Sequence, residues 1–221
     1  MEELISSLKS HTIKRLIKKR SVVLYQGEVP RYVYIVLKGV LKTYSLSANG
    51  EEQIIRLLSK DDVFPVPWLF GKSSHSLYYY EAQTDCAVAC VDRQAFLTVL
   101  KKEPAHLQTL LEYFANLYTG SMIHITALEQ ARAREKILSI LYYLCLSSGS
   151  EFKPGKFKVE LHLTHSIIAS LSGLTRETTA LELSKLKKDG TVKYTARYYL
   201  IDKVKIEQLM GEDNFTNLSL H

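Results

Sequence analysis

Residues 163–190 constrain the fold of this chain more than any other stretch, because they have the pattern of two short helices joined by a tight turn. Thr164 and Thr175 are suitable N-caps for the first and second helix. Between the helices, Gly173 can adopt the left-handed conformation that a helix end requires. Asp189-Gly190 then ends the second helix. The spacing predicts a helix-turn-helix.

The second of these helices is expected to have an apolar and a polar side. Leu181, Leu183 and Leu186 are predicted to point inward. The remaining positions include a polar set: Arg176, Glu177, Thr178, Lys185, Lys187 and Lys188. Arginine at the start of such a helix stands where a DNA-reading helix meets base edges. The alternative is an ordinary helical hairpin with a solvated basic face, and the rest of the chain has to decide between them.

The charge of the chain favours a polyanionic partner. The formal net charge is +6 and the sequence pI is about 9.0. Residues 176–205 hold eight Lys or Arg against four Asp or Glu, so this segment alone supplies +4 of that total. An excess of this kind on one segment is typical of a nucleic-acid-binding face, although a soluble basic protein would also show it.

The cysteine and histidine content argues against a disulfide framework, a metal site and an enzyme. The chain has three cysteines without a CxxC pair, no secretory signal and no apolar run that could cross a bilayer, which predicts the reducing cytoplasm and no membrane partner. His162 and His165 lack Cys or carboxylate neighbours and make a weak metal motif. A metalloenzyme barrel would need several histidines, and His75 is the sole candidate there.

The N-terminal half changes period at Ser21. Residues 1–20 have apolar residues at roughly helical spacing, which predicts a short amphipathic helix or a pair of turns. The exposed side of that helix would carry a basic cluster: Lys14, Arg15, Lys18, Lys19 and Arg20. From Ser21 to Val91, short strands alternate with turns at 8–12-residue spacing, and Asn49-Gly50 is a strong hairpin signal. This pattern predicts a small β-sandwich or barrel.

A long helix is predicted to follow the barrel. After a short helix over residues 94–101, Pro104 opens a run whose apolar residues repeat at a 3-4 spacing for about six turns. The stripe is too long for a small barrel to bury, which favours a homodimer with part of the stripe covering the barrel. The alternative is packing on the chain's own barrel alone. A polar break over residues 130–135 is a candidate hinge.

The C-terminal third predicts a winged helix. A buried helix restarts at Ile137, and residues 147–150 are expected to form a loop. A strand over residues 157–163 precedes the helix-turn-helix, and residues 191–194 with 198–201 form a hairpin after it. Residues 202–221 are predicted to be a short helix and a frayed tail.

A barrel, a long helix and a winged helix in this order resemble the Crp/Fnr family, the bacterial regulators related to the cyclic-AMP receptor protein. The most specific match is the segment 173–178, Gly-Leu-Thr-Arg-Glu-Thr, which is similar to the family's G-x-[ST]-R-E-T start of a recognition helix. The resemblance implies an α+β fold: a double-stranded β-helix (jelly-roll) sensor barrel over residues 1–103, a dimerisation helix over 104–131 and a winged helix over 132–221. It also implies double-stranded DNA, a second copy of the chain and RNA polymerase as partners.

The resemblance assigns roles within the helix-turn-helix. Arg176 is expected to bond a guanine bidentately and Glu177 to accept from a cytosine amino group. The family often has a third base-reading arginine where this chain has Leu181, so the half-site is expected to differ. The remaining candidates are expected to contact the DNA backbone, as hydroxyl, lysine and imidazole groups suit phosphates: Thr164, His165, Thr175, Thr178 and Lys185.

The barrel departs from the family's cyclic-nucleotide site. Binders of cyclic nucleotides have a G-E-x-G-x-F run followed by Arg-Ser, whereas this chain has residues 65–70, Pro-Val-Pro-Trp-Leu-Phe, and then Ser76-Leu77. Val66 replaces the ribose-binding glutamate and Ser76 the phosphate-binding arginine. The two prolines have no N–H to offer a phosphate. We therefore predict no cofactor, and in particular that cyclic AMP is not the ligand.

The residues of the barrel do not decide whether the protein binds an effector. An apolar cavity for an unknown small-molecule effector would be lined by aromatic residues and by two positions on the long helix: Pro65, Trp68, Phe70, Tyr78, Tyr80, Ser121 and Met122. The alternative is that these side chains simply fill the barrel and the regulator works without a ligand. A competing function is a small-molecule-sensing module that acts through a protein partner, in which case DNA affinity would depend little on salt.

Overall fold

The computed structural model describes residues 1–195 and 197–211 and divides into two compact units between Phe114 and Ala115. The division lies inside the long helix, whereas the predicted domain boundaries follow the ends of that helix. The predicted tail after residue 211 lies outside the described residues. Within the described ranges, none of the helices combines the length and the apolar composition that spanning a membrane would need.

The first unit is built from two four-stranded antiparallel sheets. Its strands are β1 (Thr12–Ile17), β2 (Val22–Leu24), β3 (Val33–Lys38), β4 (Leu41–Leu46), β5 (Glu52–Leu58), β6 (Val63–Phe64), β7 (Tyr79–Ala82) and β8 (Cys86–Val91). The strand orders are β1-β8-β3-β6 and β2-β7-β4-β5. Its helices are α1 (Glu2–Ser7), α2 (Val66–Leu69), α3 (Arg93–Lys102) and the first part of α4 (Pro104–Glu129). This arrangement confirms the predicted jelly-roll barrel.

Strand β8 shows how the barrel core is organised. All six of its residues are buried, because successive side chains of a strand point to opposite sides and each side meets a different hydrophobic cluster. Cys86, Val88 and Cys90 belong to one cluster, and Ala89 and Val91 to the other. Burial raises the pKa of both thiols. Both cysteines are therefore protonated core residues at neutral pH.

The prediction of helix or turns for residues 1–20 was wrong for their second half. The helical pattern holds for α1, but Thr12–Ile17 is an edge strand that pairs along its whole length with β8. Pairing with a distant strand satisfies the backbone of this segment, and tertiary context of this kind overrides local periodicity. The basic cluster consequently lies on an exposed edge strand and the turn after it.

The second unit holds the end of α4 and a complete winged helix. Its elements are α5 (Ala133–Ser148), β9 (Gly149–Lys153), β10 (Lys156–Val159), α6 (His165–Ser172), α7 (Arg176–Lys188), β11 (Val192–Tyr194), β12 (Tyr199–Asp202) and α8 (Lys203–Met210). The strands form an antiparallel sheet in the order β11-β12-β10-β9. The predicted strand over residues 157–163 is shorter than expected and ends at Val159.

The loop predicted for residues 147–150 is also wrong. Helix α5 continues to Ser148, and β9 begins at the next residue and pairs with β10. Gly149 permits this abrupt change, because a Cβ at this position would lie 2.5 Å from the carbonyl oxygen of Cys145. A run of serine and glycine usually indicates a loop, but here the pairing with β10 supplies the missing backbone hydrogen bonds.

The polar break between the two long helices is present. Helix α4 ends at Glu129 and α5 begins at Ala133. Lys136 Nζ donates to the carbonyl oxygen of Leu128 at 2.7 Å and so caps α4. His124 Nε2 donates to the carbonyl oxygen of Leu171 at 2.7 Å, which ties α4 to the end of α6. A hinge at the break stays a prediction.

Candidate nucleic-acid interface

The capping residues predicted from the sequence set the ends of the two helices in the helix-turn-helix. Thr164 Oγ1 accepts from the backbone N–H of Ile167 at 3.2 Å at the start of α6. Gly173 has φ 62° and ends that helix in the left-handed region. Thr175 Oγ1 then accepts from the N–H of Thr178 at 3.2 Å and starts α7. Two side-chain caps and one glycine therefore set the turn between the helices.

One face of α7 packs into the core of the second unit. Thr179, Leu183 and Leu186 have no exposed surface. They stand four and three residues apart, which places them on one face of a helix. Leu181 is 58% exposed, so the prediction that it points inward was wrong. It follows Thr179 by two residues, and two residues carry a side chain about 200° around the helix axis.

The opposite face of α7 presents the candidate base-reading groups. Arg176 and Glu177 are exposed in the first turn of the helix. In the part of the chain that the structure describes, neither of them forms an ion pair. Leu181 and Ser184 are exposed on the following turns. The guanidinium and the carboxylate can therefore reach the base edges of a duplex.

Two of the three threonines expected to contact phosphates, Thr164 and Thr178, keep a hydroxyl proton that can bond a phosphate. The lone pair of Thr164 Oγ1 is used by the cap, so its O–H is still able to donate. Thr175 Oγ1 donates to Thr178 Oγ1 at 2.9 Å, which leaves the O–H of Thr178 as the donor at the start of α7. Thr164 is exposed and Thr178 is half-buried.

The other two phosphate candidates are already engaged within the unit. Lys185 Nζ pairs with Glu182 Oε1 at 2.6 Å, so a carboxylate partly neutralises its charge. The ring of His165 is half-buried and meets the ring of Tyr194 edge-on, with centroids 5.5 Å apart. This contact joins the start of α6 to strand β11.

Sequence reasoning missed two exposed cations on the hairpin that follows α7. Lys193 lies in β11, and Arg197 lies in the turn that leads to β12. Their signal in the sequence was the basic excess over residues 176–205, which did not single them out. The hairpin adds exposed positive charge to the unit that carries α7, and such charge suits the phosphates beside a groove.

An ion pair fixes the end of α7 against α5. Asp189 Oδ2 lies 3.2 Å from Arg134 Nη2, and Asp189 Oδ1 accepts from the N–H of Thr191 at 3.0 Å. Partial burial would raise the pKa of Asp189, but the hydrogen bonds from Thr191 and Arg134 outweigh it and lower that pKa. The ionised Asp189 carboxylate therefore stabilises the folded protein above the ordinary pKa of an aspartate. That stabilisation is lost as the pH falls through the lowered pKa of Asp189.

In the barrel, the segment that stands in place of the family's G-E-x-G-x-F run is hydrogen-bonded within itself. The N–H groups of residues 69–72 donate to carbonyl oxygens of residues 65–68 at 2.8 to 3.2 Å. Ser76 is buried, and its hydroxyl donates to the carbonyl oxygen of Tyr78 at 2.7 Å. These four amides and the hydroxyl that stands in place of the phosphate-binding arginine are therefore engaged within the barrel.

The aromatic residues predicted to line one cavity divide between the two hydrophobic clusters. Trp68 and Phe70 pack against the cluster that contains Ala89. Tyr78 and Tyr80 pack in the other, where the ring of Tyr80 stacks on that of Phe64 with centroids 4.6 Å apart. Ser121 and Met122 are exposed residues of the second unit.

A buried polar network inside the first unit was not foreseen. Asp62 pairs with Arg56 and accepts from the hydroxyl of Tyr113 at 3.0 Å and from the N–H of Ser59 at 2.7 Å. The Tyr113 oxygen in turn accepts from the N–H of Val63 at 3.1 Å. Burial raises the pKa of Tyr113 to about 12, so it stays a donor. The network ties the start of α4 to the barrel.

Both units match known families. Residues 14–103 match the cyclic nucleotide-binding domain family, and residues 135–209 match the Crp-like helix-turn-helix domain family. The chain belongs to the Crp/Fnr family. It is a DNA-binding transcription regulator and not an enzyme, as the sequence predicted. No group of three or more His, Cys, Asp or Glu side chains among the described residues is placed to hold a metal ion.

Individual relatives cover most of the chain. The HTH-type transcriptional regulator ArcR of Staphylococcus haemolyticus is 26% identical over 200 residues, 90% of this chain and 86% of the relative. The transcriptional activator protein FnrL of Cereibacter sphaeroides is 25% identical over 217 residues, 96% of this chain and 86% of the relative. Similarity therefore extends through both units.

Solved structures of Crp/Fnr regulators share the fold. FixK2 from Bradyrhizobium japonicum aligns with a TM-score of 0.74 at 22% identity and covers 90% of this chain and 98% of that one. A CooA mutant from Carboxydothermus hydrogenoformans aligns with a TM-score of 0.73 at 21% identity and covers 96% and 91%. These alignments confirm the order of barrel, long helix and winged helix.

Proposed function

We propose that this Crp/Fnr regulator acts in the cytoplasm as a homodimer on a pseudo-palindromic operator, together with RNA polymerase, and that cyclic nucleotides do not control it. The observation that carries the proposal is the exposed pair Arg176 and Glu177 at the capped start of α7. Two such helices, one from each copy, would enter successive major grooves about 34 Å apart.

The dimer is supported by the surface of α4. Apolar side chains that are 38% to 67% exposed recur along the helix at heptad-like spacing: Leu107, Leu111, Tyr118, Met122, Ile125 and Leu128. One such residue on a surface is ordinary, but a stripe over six turns is typical of a protein–protein interface. A second copy of the same helix matches its length and its pattern.

Ile125→Glu should therefore convert the dimer to a monomer. The substitution places a charge in the apolar stripe, and the mirrored charge of the second copy would lie close to it. Sedimentation should give one chain per particle, and operator affinity should fall by a factor of about 100, because one half-site alone has to hold the protein.

Gln108→Lys is the control for the Ile125 variant. It adds a charge at an exposed polar position of the same helix, four residues from Glu112. We expect it to remain dimeric. A dimeric Ile125→Glu protein with unchanged operator affinity would contradict the proposed interface.

Cyclic AMP should leave the melting temperature of the protein unchanged. A ligand that binds only the folded state raises the melting temperature, and the rise grows with the logarithm of its concentration above Kd. The amides of residues 69–72 and the Ser76 hydroxyl are engaged inside the barrel, so these donors are not available to a cyclic phosphate. Operator DNA is the positive control for the thermal-shift measurement. A clear stabilisation by millimolar cyclic AMP would overturn this part of the proposal.

A further inference from the structure

We propose that Leu181 contacts the 5-methyl group of a thymine in each half-site of the operator. This inference rests on the proposed function and adds to it the identity of one base. Leu181 is 58% exposed in the middle of α7, whereas Leu183 and Leu186 of the same helix are fully buried. The exposed leucine lies on the helix that carries the proposed base-reading residues Arg176 and Glu177.

The position of Leu181 relative to Glu177 locates the thymine. The two residues are four apart on α7, so their side chains lie one above the other on the same face. The rise of an α-helix separates them by about 6 Å along the axis. Base pairs stack at about 3.4 Å and the groove is inclined to the duplex axis, so the leucine meets an edge within about two base pairs of the one that Glu177 contacts.

The chemistry of the major groove selects thymine. Leucine has no donor or acceptor, and the C5-methyl group of thymine is the apolar feature that distinguishes a base edge in this groove. A G·C pair at the same place would turn hydrogen-bonding groups toward a hydrocarbon and leave them unpaired, which costs free energy. Ala180, which is half-buried beside Leu181, is small enough to let the leucine approach the edge.

The charges around Leu181 favour DNA as the occupant of this face. Arg176 precedes it by five residues, and Lys188 lies exposed two turns further along the helix. Lys193 and Arg197 add exposed positive charge on the hairpin. An apolar protein partner would have to cover this charged surface, whereas a duplex brings phosphates to the cations and base edges to the leucine.

The test is a double-mutant cycle in which the side chain of Leu181 and the methyl group of the thymine are removed separately and together. Sites are first selected from random duplex DNA with the full-length protein, and the enriched half-site should contain an invariant T·A pair within about two base pairs of the G·C pair that Glu177 reads. Replacement of that thymine by deoxyuridine removes only the methyl group. Wild-type affinity should fall about fourfold for each half-site, the ratio that burial of one methyl group provides.

The Leu181→Ala protein should bind the thymine and deoxyuridine duplexes equally, because the partner of the methyl group is gone. Ser184→Ala, a change on the same exposed face, should keep the wild-type sensitivity to the methyl group. An enriched site that wild-type protein binds with the same affinity in both forms would overturn this inference alone. Failure to enrich any sequence would overturn the proposed function, and the inference with it.

Discussion

Arg176→Ala should reduce affinity for the selected operator by a factor of about 30 to 25,000. A bidentate contact from arginine to guanine contributes about 1–3 kcal/mol, and a dimer makes it twice. The loss should be restricted to specific binding, so that the preference for the guanine position disappears while affinity for random DNA changes little. Competition between operator and random duplexes, measured at fixed salt, checks this result.

Lys188→Ala is the matched control for the Arg176 variant. It removes one positive charge from the same helix at an exposed position beyond the expected base contacts. We expect it to weaken binding to all sequences alike and to lower the salt slope by about one for each phosphate contact that is lost. Arg176 is exposed, so its removal should leave folding and dimerisation intact. An Arg176→Ala protein with the wild-type sequence preference would contradict the assignment of this residue.

Gly39→Ala should destabilise the barrel by about 2–5 kcal/mol. Gly39 has φ +91°, and a Cβ there would lie 2.6 Å from the carbonyl oxygen of Asp85 and 2.9 Å from Cys86 Cα. Those are backbone atoms at the start of buried strand β8, so they cannot move aside without disturbing the sheet. Overpacking costs about 1–3 kcal/mol and the left-handed conformation of a non-glycine residue about 1–2 kcal/mol.

Gly50→Ala separates these two costs. Gly50 has φ +79°, but among the described residues no atom outside its chain neighbours lies within 4 Å of an added Cβ. We expect this variant to lose about 1–2 kcal/mol, the conformational part alone. Urea unfolding can be followed by the fluorescence of Trp68, the one tryptophan of the chain, which packs in the barrel. An equal loss of unfolding free energy in the two variants would show that the contact with Asp85 and Cys86 does not destabilise the Gly39→Ala protein.

The helix-turn-helix was predictable because its determinants are local. Thr164, Gly173 and Thr175 act on backbone groups within a few residues of themselves, and the structure shows each of them in its predicted capping role. The motif around Arg176 and Glu177 placed both residues correctly at the exposed start of α7. Which bases they contact stays a prediction.

The prediction for Leu181 misread the helical period, and other features could not be read from the chain. The prediction for Leu181 grouped it with Leu183 and Leu186 because all three are leucines, although its angle around the helix separates it from them. The pairing of Lys185 with Glu182 and the contact of His165 with Tyr194 depend on rotamers and on the approach of β11 to α6. For the barrel aromatics the chain left a cavity and a filled barrel open, and their division between two hydrophobic clusters depends on the fold.

Local chemistry of the chain was sufficient to predict the order of the elements, the ends of the helices around the turn and the family, since caps, glycines and prolines act over short distances. Strand β1 and the network of Asp62 depend on partners far along the chain, because Thr12 pairs with Val91 and Asp62 bonds Tyr113. Contacts of this kind form only when the fold brings distant residues together, and no periodicity in the sequence encodes them. The exposed side of α7, which includes Leu181, is likewise defined by what its buried side packs against.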